Sequence, residues 1–135
     1  MTQVRIKQAA ALLGVSDDTV RRWCDAGRLE STTDSAGRRV IDGTALAAFA
    51  QGLAAGADSP ARPTPSSARN RMPGLVTRVV RDTVMAQVEL QCGPFRVVSL
   101  MSREAADDLG LEPGALAIAT VKSTNVVVET EEAGA

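Results

Sequence analysis

The chain has 135 residues, with 15 Lys and Arg against 16 Asp and Glu and no histidine. That length allows one ordinary domain or two very small ones, and a near-neutral balance gives no global signature of nucleic-acid binding, so any such reading rests on local arrangement. No apolar run reaches the roughly 18 residues of a membrane-spanning helix, and Met1-Thr2-Gln3-Val4-Arg5 lacks the apolar core of a signal peptide, so the cytoplasm is expected, with no membrane partner. Cys24 and Cys92 are the two cysteines; with no histidine beside them they argue against a structural zinc site, a disulfide framework or any metal cation. No nucleophile has an activating partner in sight, and an enzyme is not expected.

Arg5 to Leu13 reads as a short helix, with Ala9, Ala10, Leu12 and Leu13 supplying apolar pairs at helical spacing. Gly14 stops it, and Ser16 is a good N-cap for a second helix from about Asp17 to Ala26. Val20, Trp23 and Cys24 share the apolar face of that helix, which Gly27 ends. Two helices joined by a tight Gly-Val-Ser turn make a helix-turn-helix candidate, whose second helix offers Thr19, Arg21 and Arg22 to a DNA groove. Asp17–Arg21 and Asp18–Arg22 pairs at i, i+4 would give a solvated, ion-paired face the same appearance. Arg28 to Ile41 then reads as strand, polar turn and strand, a wing with Arg38 and Arg39 beside its tip, where arginines reach phosphates or a narrow minor groove. A third helix begins near Asp42 and buries Leu46, Ala47, Phe49, Ala50 and Leu53.

The run Val4-Arg5-Ile6-Lys7-Gln8-Ala9-Ala10, with Gly14-Val15-Ser16, Thr19-Val20-Arg21-Arg22-Trp23 and Gly27-Arg28-Leu29, resembles the winged helix-turn-helix of the MerR superfamily and the excisionase-like small DNA binders. The resemblance implies that Ser16, Thr19, Arg21 and Arg22 lie at or near the groove, with Arg38 and Arg39 on the wing. MerR regulators continue into a long dimerising helix. This chain continues instead into Ala54–Ser66, a linker rich in Ala, Gly, Ser and Pro without apolar periodicity. The expected domains are 1–53, a linker 54–66, a second domain 67–130 and a tail 131–135.

The second domain opens with Ser67-Ala68-Arg69-Asn70 and closes near Lys122-Ser123-Thr124-Asn125. Both stretches hold hydroxyl, amide and cationic groups without a carboxylate, the chemistry a small tetrahedral oxyanion needs around it. A polar strand end and an ordinary turn would look alike. Strands are expected over Leu75–Val80, Met85–Gln91, Phe95–Met101, Ala115–Val121 and Val126–Glu129, with Phe95 in the core and Ser102 capping a short helix to Leu109. Their sum is a five-stranded, one-helix OB-like small β-barrel, and the whole chain is α+β. A barrel this small gains from oligomerisation, which also closes its edge strands.

The order of these elements, with Ser67-Ala68-Arg69-Asn70, Pro73-Gly74, the Ser102 helix ending at Leu109-Gly110-Leu111, Pro113-Gly114 and Lys122-Ser123-Thr124-Asn125-Val126, resembles the molybdenum-pterin-binding, or Mop, domain of the TOBE group. The resemblance implies a cytoplasmic protein that binds molybdate or tungstate between subunits and assembles as a dimer or a trimer of dimers. It carries the oxyanion role to Ser67, Ala68 and Arg69, to Ser102, and to Lys122 and Ser123 from a neighbouring subunit, with backbone N–H groups of Ala68 and Arg69 expected to contribute. The combined expectation is a molybdate- or tungstate-binding regulator that contacts double-stranded DNA as a homo-oligomer. The alternatives are a molybdate storage or buffering protein with an N-terminal docking module, and an architectural DNA binder that uses its barrel only for assembly.

Overall fold

The computed structural model of the chain describes residues 2–55 and 65–131, which fall in two separately packed units divided after Ser59. Most of the expected linker and tail lies outside the described residues. The class is α+β, with a helical N-terminal unit and a curled antiparallel sheet in the second.

In the first unit, β1 (Gln3–Arg5) precedes α1 (Ile6–Leu13), so the first helix starts one residue later than the sequence suggested and a short strand stands before it. Strand pairing decides this: β1 runs antiparallel to β3 (Arg39–Asp42), with Gln3 opposite Asp42 and Arg5 opposite Val40. Ile6, Ala9 and Ala10 of α1 are buried, whereas Leu12, expected on the apolar face, is exposed. Gly14 ends the helix at φ 70°, a left-handed conformation that a side chain disfavours.

Helix α2 (Asp17–Asp25) is capped as its sequence requires. Ser16 Oγ accepts the Thr19 backbone N–H at 3.2 Å, and Asp17 and Asp18 occupy the first turn. Such a cap contributes about 1 kcal/mol. The wing is short: β2 (Thr32–Thr33) pairs with β3, giving the order β1-β3-β2. Helix α3 (Gly43–Ala55) starts where Asp42 Oδ2 accepts the Ala45 N–H at 3.3 Å. Leu46 is buried and Phe49 packs partly buried against the core of Val4, Val20, Leu29 and Ile41; Ala47 is exposed, a departure from the expected stripe. Trp23 and Phe49 meet at 5.0 Å between centroids, and Arg28 Cζ lies 5.9 Å from each ring. The cation therefore covers the aromatic pair at the edge of this core.

The second unit is a four-stranded antiparallel sheet in the order β6-β5-β4-β7. Its long strand β4 (Asn70–Arg81) changes partner halfway: Asn70–Leu75 pair with β7 (Leu116–Val121), and Leu75–Arg81 pair with β5 (Met85–Cys92). The change falls at Leu75, directly after Pro73-Gly74, and a register shift between Val76 and Arg78 follows, so the strand bends and the sheet curls. Strand β6 (Phe95–Ser102) completes the sheet, and α4 (Arg103–Asp108) follows at once. Val76, Val88, Leu90, Cys92 and Leu111 form the core. Glu89, also buried, accepts the Arg96 guanidinium from β6, the pairing a buried carboxylate needs.

Two expectations change here. Val126–Glu129 does not form a fifth strand within the chain; a 3-10 turn (Ser123–Asn125) leads into it, and Val127 and Val128 are more than 80% exposed. Phe95, expected in the core, is exposed at the β5–β6 turn. Within one chain, then, the outer edges of β6 and β7 stay unpaired among the described residues, and nothing there covers the start of β6.

Candidate functional site

The β4–β7 ladder brings the two polar stretches of the second unit to one end of the sheet. Asn70 pairs with Val121, so Arg69 and Lys122 each lie one residue beyond the last rung. The Asn70 side-chain amide also donates to the Val121 carbonyl at 3.1 Å, pinning the two strand ends together. Sequence reading gave Lys122 and Ser123 to a neighbouring subunit, but the register already sets both stretches side by side within one chain.

The first stretch is held by a residue that sequence reading left out. Ser66 Oγ accepts the Ala68 N–H at 3.1 Å, and the Ser66 carbonyl accepts from Arg69 Nη1 at 3.0 Å. The Ala68 N–H, expected to contribute to the anion, is engaged by Ser66 in this arrangement. Ser67 is exposed beside it. In the second stretch the Lys122 carbonyl accepts the Asn125 N–H at 2.9 Å and the Ser123 carbonyl accepts that of Val126 at 3.3 Å. Lys122 and the Ser123 hydroxyl stay at the surface. Arg69 and Lys122, with the neighbouring Ser67 and Ser123, thus belong to one strand-end platform set by the β4–β7 register.

Ser102 is elsewhere. Its Oγ accepts the Ala105 N–H at 3.1 Å as the cap of α4, and the hollow beside it is lined by Thr83, Arg103, Glu104, Asp107 and Asp108. Three carboxylates against one guanidinium make a poor field for an anion, and Ser102 takes no part in the Arg69–Lys122 platform.

In the first unit the structure separates two arginines that are adjacent in sequence. Ser16 Oγ and Thr19 Oγ1 are 2.9 Å apart, and Arg22 Nη2 donates to Thr19 Oγ1 at 3.3 Å, so Ser16, Thr19 and Arg22 form one polar ridge along α2. Arg21 turns instead toward Asp18, at 3.2 Å and i, i+3 spacing rather than the expected i, i+4. It lines a cleft with Arg5, Lys7, Arg38 and Arg39. Arg38 and Arg39 have partners of their own, Asp34 at 3.6 Å and Asp25 at 2.9 Å. Sequence reading offered only the second helix and the wing to DNA and so left out Arg5 and Lys7; the β1–β3 pairing sets Arg5 beside the wing strand, and Lys7 lines the same cleft.

No helix among the described residues is long and apolar enough to cross a membrane. Residues 4–54 match the helix-turn-helix domain family, and residues 66–128 match the TOBE domain family. Molybdenum-pterin-binding protein 3 of Clostridium pasteurianum is 38% identical over 63 residues, which span 46% of this chain and 93% of that protein. Molybdenum-pterin-binding protein 2 of the same organism is 36% identical over the same shares. A solved molybdate binding protein from Sporomusa ovata aligns with 50% of this chain and 100% of its own at 30% identity and a TM-score of 0.48. Through its second unit, then, the chain belongs to the family of the molybdenum-pterin-binding proteins, joined here to a helix-turn-helix domain.

Proposed function

We propose that the chain is a molybdate-responsive regulator of transcription, MerR-like in its DNA-binding unit, that acts in the cytoplasm as a homo-oligomer. The observation that carries the reading is the Asn70–Val121 closure. It supports an oxyanion site in which Ser67, Arg69, Lys122 and Ser123 supply donors from one platform. Ala68 and Ser102 have smaller parts in this reading, because Ser66 engages the first and carboxylates surround the second. The relatives' names speak of molybdenum and pterin. The simple oxyanion is favoured here, since Phe95 is the only aromatic residue beyond position 49 and sits at the β5–β6 turn. A pterin ring has no stacking partner on the platform.

Charge-assisted hydrogen bonds contribute roughly 1.5–3 kcal/mol each, so a handful supports micromolar or tighter binding. Donor-only lining also disfavours anions that carry a proton at neutral pH. Tungstate matches molybdate in charge and shape and is expected to compete.

Assembly is supported by what the sheet leaves open. Its edge strands β6 and β7 flank a hollow of about 460 Å³ lined by Val97, Val98, Leu109, Leu111, Leu116 and Ile118. The unpaired Val126–Val128 segment is the strand-forming piece that a second copy can add to such an edge. Ser16, Thr19 and Arg22 would face the DNA groove, and the wing arginines its backbone; paired DNA-binding units then take their spacing from the assembled sheets. Anion and DNA binding are reciprocally linked if the anion alters that assembly.

Calorimetric titration with molybdate, against sulfate and phosphate, tests the reading. Saturable heat with molybdate alone, lost in Lys122→Ala, is expected. Absence of heat and of any thermal stabilisation would leave a sheet that only assembles.

A further inference from the structure

The N-terminal unit is almost neutral, yet its charge is segregated. Residues 2–55 hold seven cations (Arg5, Lys7, Arg21, Arg22, Arg28, Arg38, Arg39) against six carboxylates (Asp17, Asp18, Asp25, Glu30, Asp34, Asp42). Five of the seven line one cleft of about 360 Å³, together with Ile6, and none of the six carboxylates lines it. Those five come from three separate places in the chain: the β1–α1 junction, the middle of α2 and the wing. Strand pairing and helix packing converge them.

Within the cleft the cations are not equivalent. Arg21, Arg38 and Arg39 each hold a carboxylate of the same unit at 3.2, 3.6 and 2.9 Å. Among the described residues no carboxylate forms an ion pair with Arg5 or Lys7. The Arg5 field nonetheless reaches the wing, where it adds to the effect of Arg38 on the Asp34 carboxyl. Both Arg5 and Lys7 are exposed, so neither serves the core. Unneutralised cations gathered at a concave surface are suited to a polyanion whose charges are fixed in space.

We propose that this cleft seats a phosphate of the DNA backbone, and that Arg5 and Lys7 anchor the duplex between the α2 ridge and the wing. The inference rests on the DNA-binding reading above and adds a contact at the start of the first helix, away from the α2 ridge and the wing tip. Contacts of this kind position a duplex without reading its sequence. They act on every duplex alike, so a mixed-sequence probe suffices and no operator need be known.

The test is fluorescence anisotropy of the full chain with a labelled 30-base-pair mixed-sequence duplex, over a series of salt concentrations. Arg5→Gln and Lys7→Gln are each expected to weaken binding at low salt and to flatten the plot of log affinity against log salt by about one unit of slope. Their circular dichroism and thermal unfolding should match wild type. Arg28→Gln removes the same charge outside the cleft, from over Trp23 and Phe49, and should leave the slope intact. A wild-type slope in both cleft variants would overturn the anchor while the DNA reading stands. An equal loss of slope in Arg28→Gln would overturn it too, by showing that net charge alone matters. Failure of wild type to bind any duplex would remove the DNA reading and this inference with it.

Discussion

Asn70 and Val121 are paired across β4 and β7 and joined a second time, side-chain amide to carbonyl, at 3.1 Å. Fifty-one positions apart in the chain, they hold the two polar stretches at one end of the sheet. Asn70→Ala keeps the backbone rung and loses the amide clasp. A hydrogen bond of this kind contributes about 0.5–1.5 kcal/mol net, so the thermal midpoint is expected to fall by several degrees, and molybdate affinity by up to about tenfold by calorimetry. Wild-type affinity in this variant would show that the strand ends stay together without the clasp.

At Gly74, strand β4 passes close against the end of β5. A Cβ there would stand 2.6 Å from Cys92 Sγ and 2.8 Å from the Gln91 carbonyl oxygen. The thiol could turn aside, but the carbonyl belongs to a paired strand and cannot. Gly74→Ala is expected to destabilise the second unit by about 1–3 kcal/mol, the usual range for overpacking, read as a lower urea midpoint. Adding Cys92→Ala should recover only part of the loss, because the backbone contact remains.

Much of this was legible in the sequence, for physical reasons. Ser16 and Ser102 announced their helices because an N-cap needs only its own hydroxyl and the N–H groups that follow. Met85–Gln91 announced its strand because alternation over a half-buried sheet is local. What stayed hidden depends on distant partners. Gln3–Arg5 is a strand only because Arg39–Asp42 lies beside it. Val126–Glu129 has the β-branched composition of a strand, but composition does not say which edge would receive it, and within one chain it pairs with neither β6 nor β7. The division of labour between Arg21 and Arg22 is a matter of helix rotation relative to the wing, which two neighbouring letters do not express. Ser66 was passed over because its role is to hold Ala68 and Arg69, a contact set by the turn.

The wing tip is organised by Asp34. Its Oδ1 accepts the backbone N–H groups of Ala36 and Arg38, each at 2.9 Å, and Gly37 closes the turn at φ 81°. The Arg38 backbone hydrogen bond is the largest cause holding this carboxyl below its usual value of 3.8; partial desolvation opposes it, and the Ala36 N–H and the charges of Arg38 and Arg5 assist. The sign follows from linkage. A carboxyl depressed in the folded state stabilises the turn above its ordinary pKa, and that contribution is lost as pH falls through the folded value. Amide signals of Ala36 and Arg38 in an NMR titration should hold steady from pH 7 to about 5 and shift only below about pH 4. Asp34→Asn should abolish that acid transition at the tip while keeping an oxygen acceptor, and Asp34→Ala should loosen the tip at every pH.

Leu116 and Val127 are 87% and 85% exposed within a single chain. For a lone subunit, replacing either with glutamate should cost little, since surface positions of this kind change stability by about half a kcal/mol or less. In an assembly that adds a strand at the β6 or β7 edge, the same change would bury an unpaired carboxylate, which costs several kcal/mol. If wild type assembles as proposed, Leu116→Glu and Val127→Glu are expected to leave circular dichroism unchanged and to shift the protein from oligomer to monomer in sedimentation velocity. The variants also separate two ways of building the anion site. If the Asn70–Val121 platform of one chain is sufficient, the monomeric variants keep molybdate binding at wild-type strength. If the site needs groups from a second copy, affinity and assembly fall together, and molybdate should drive wild-type subunits toward the larger species as their concentration is lowered.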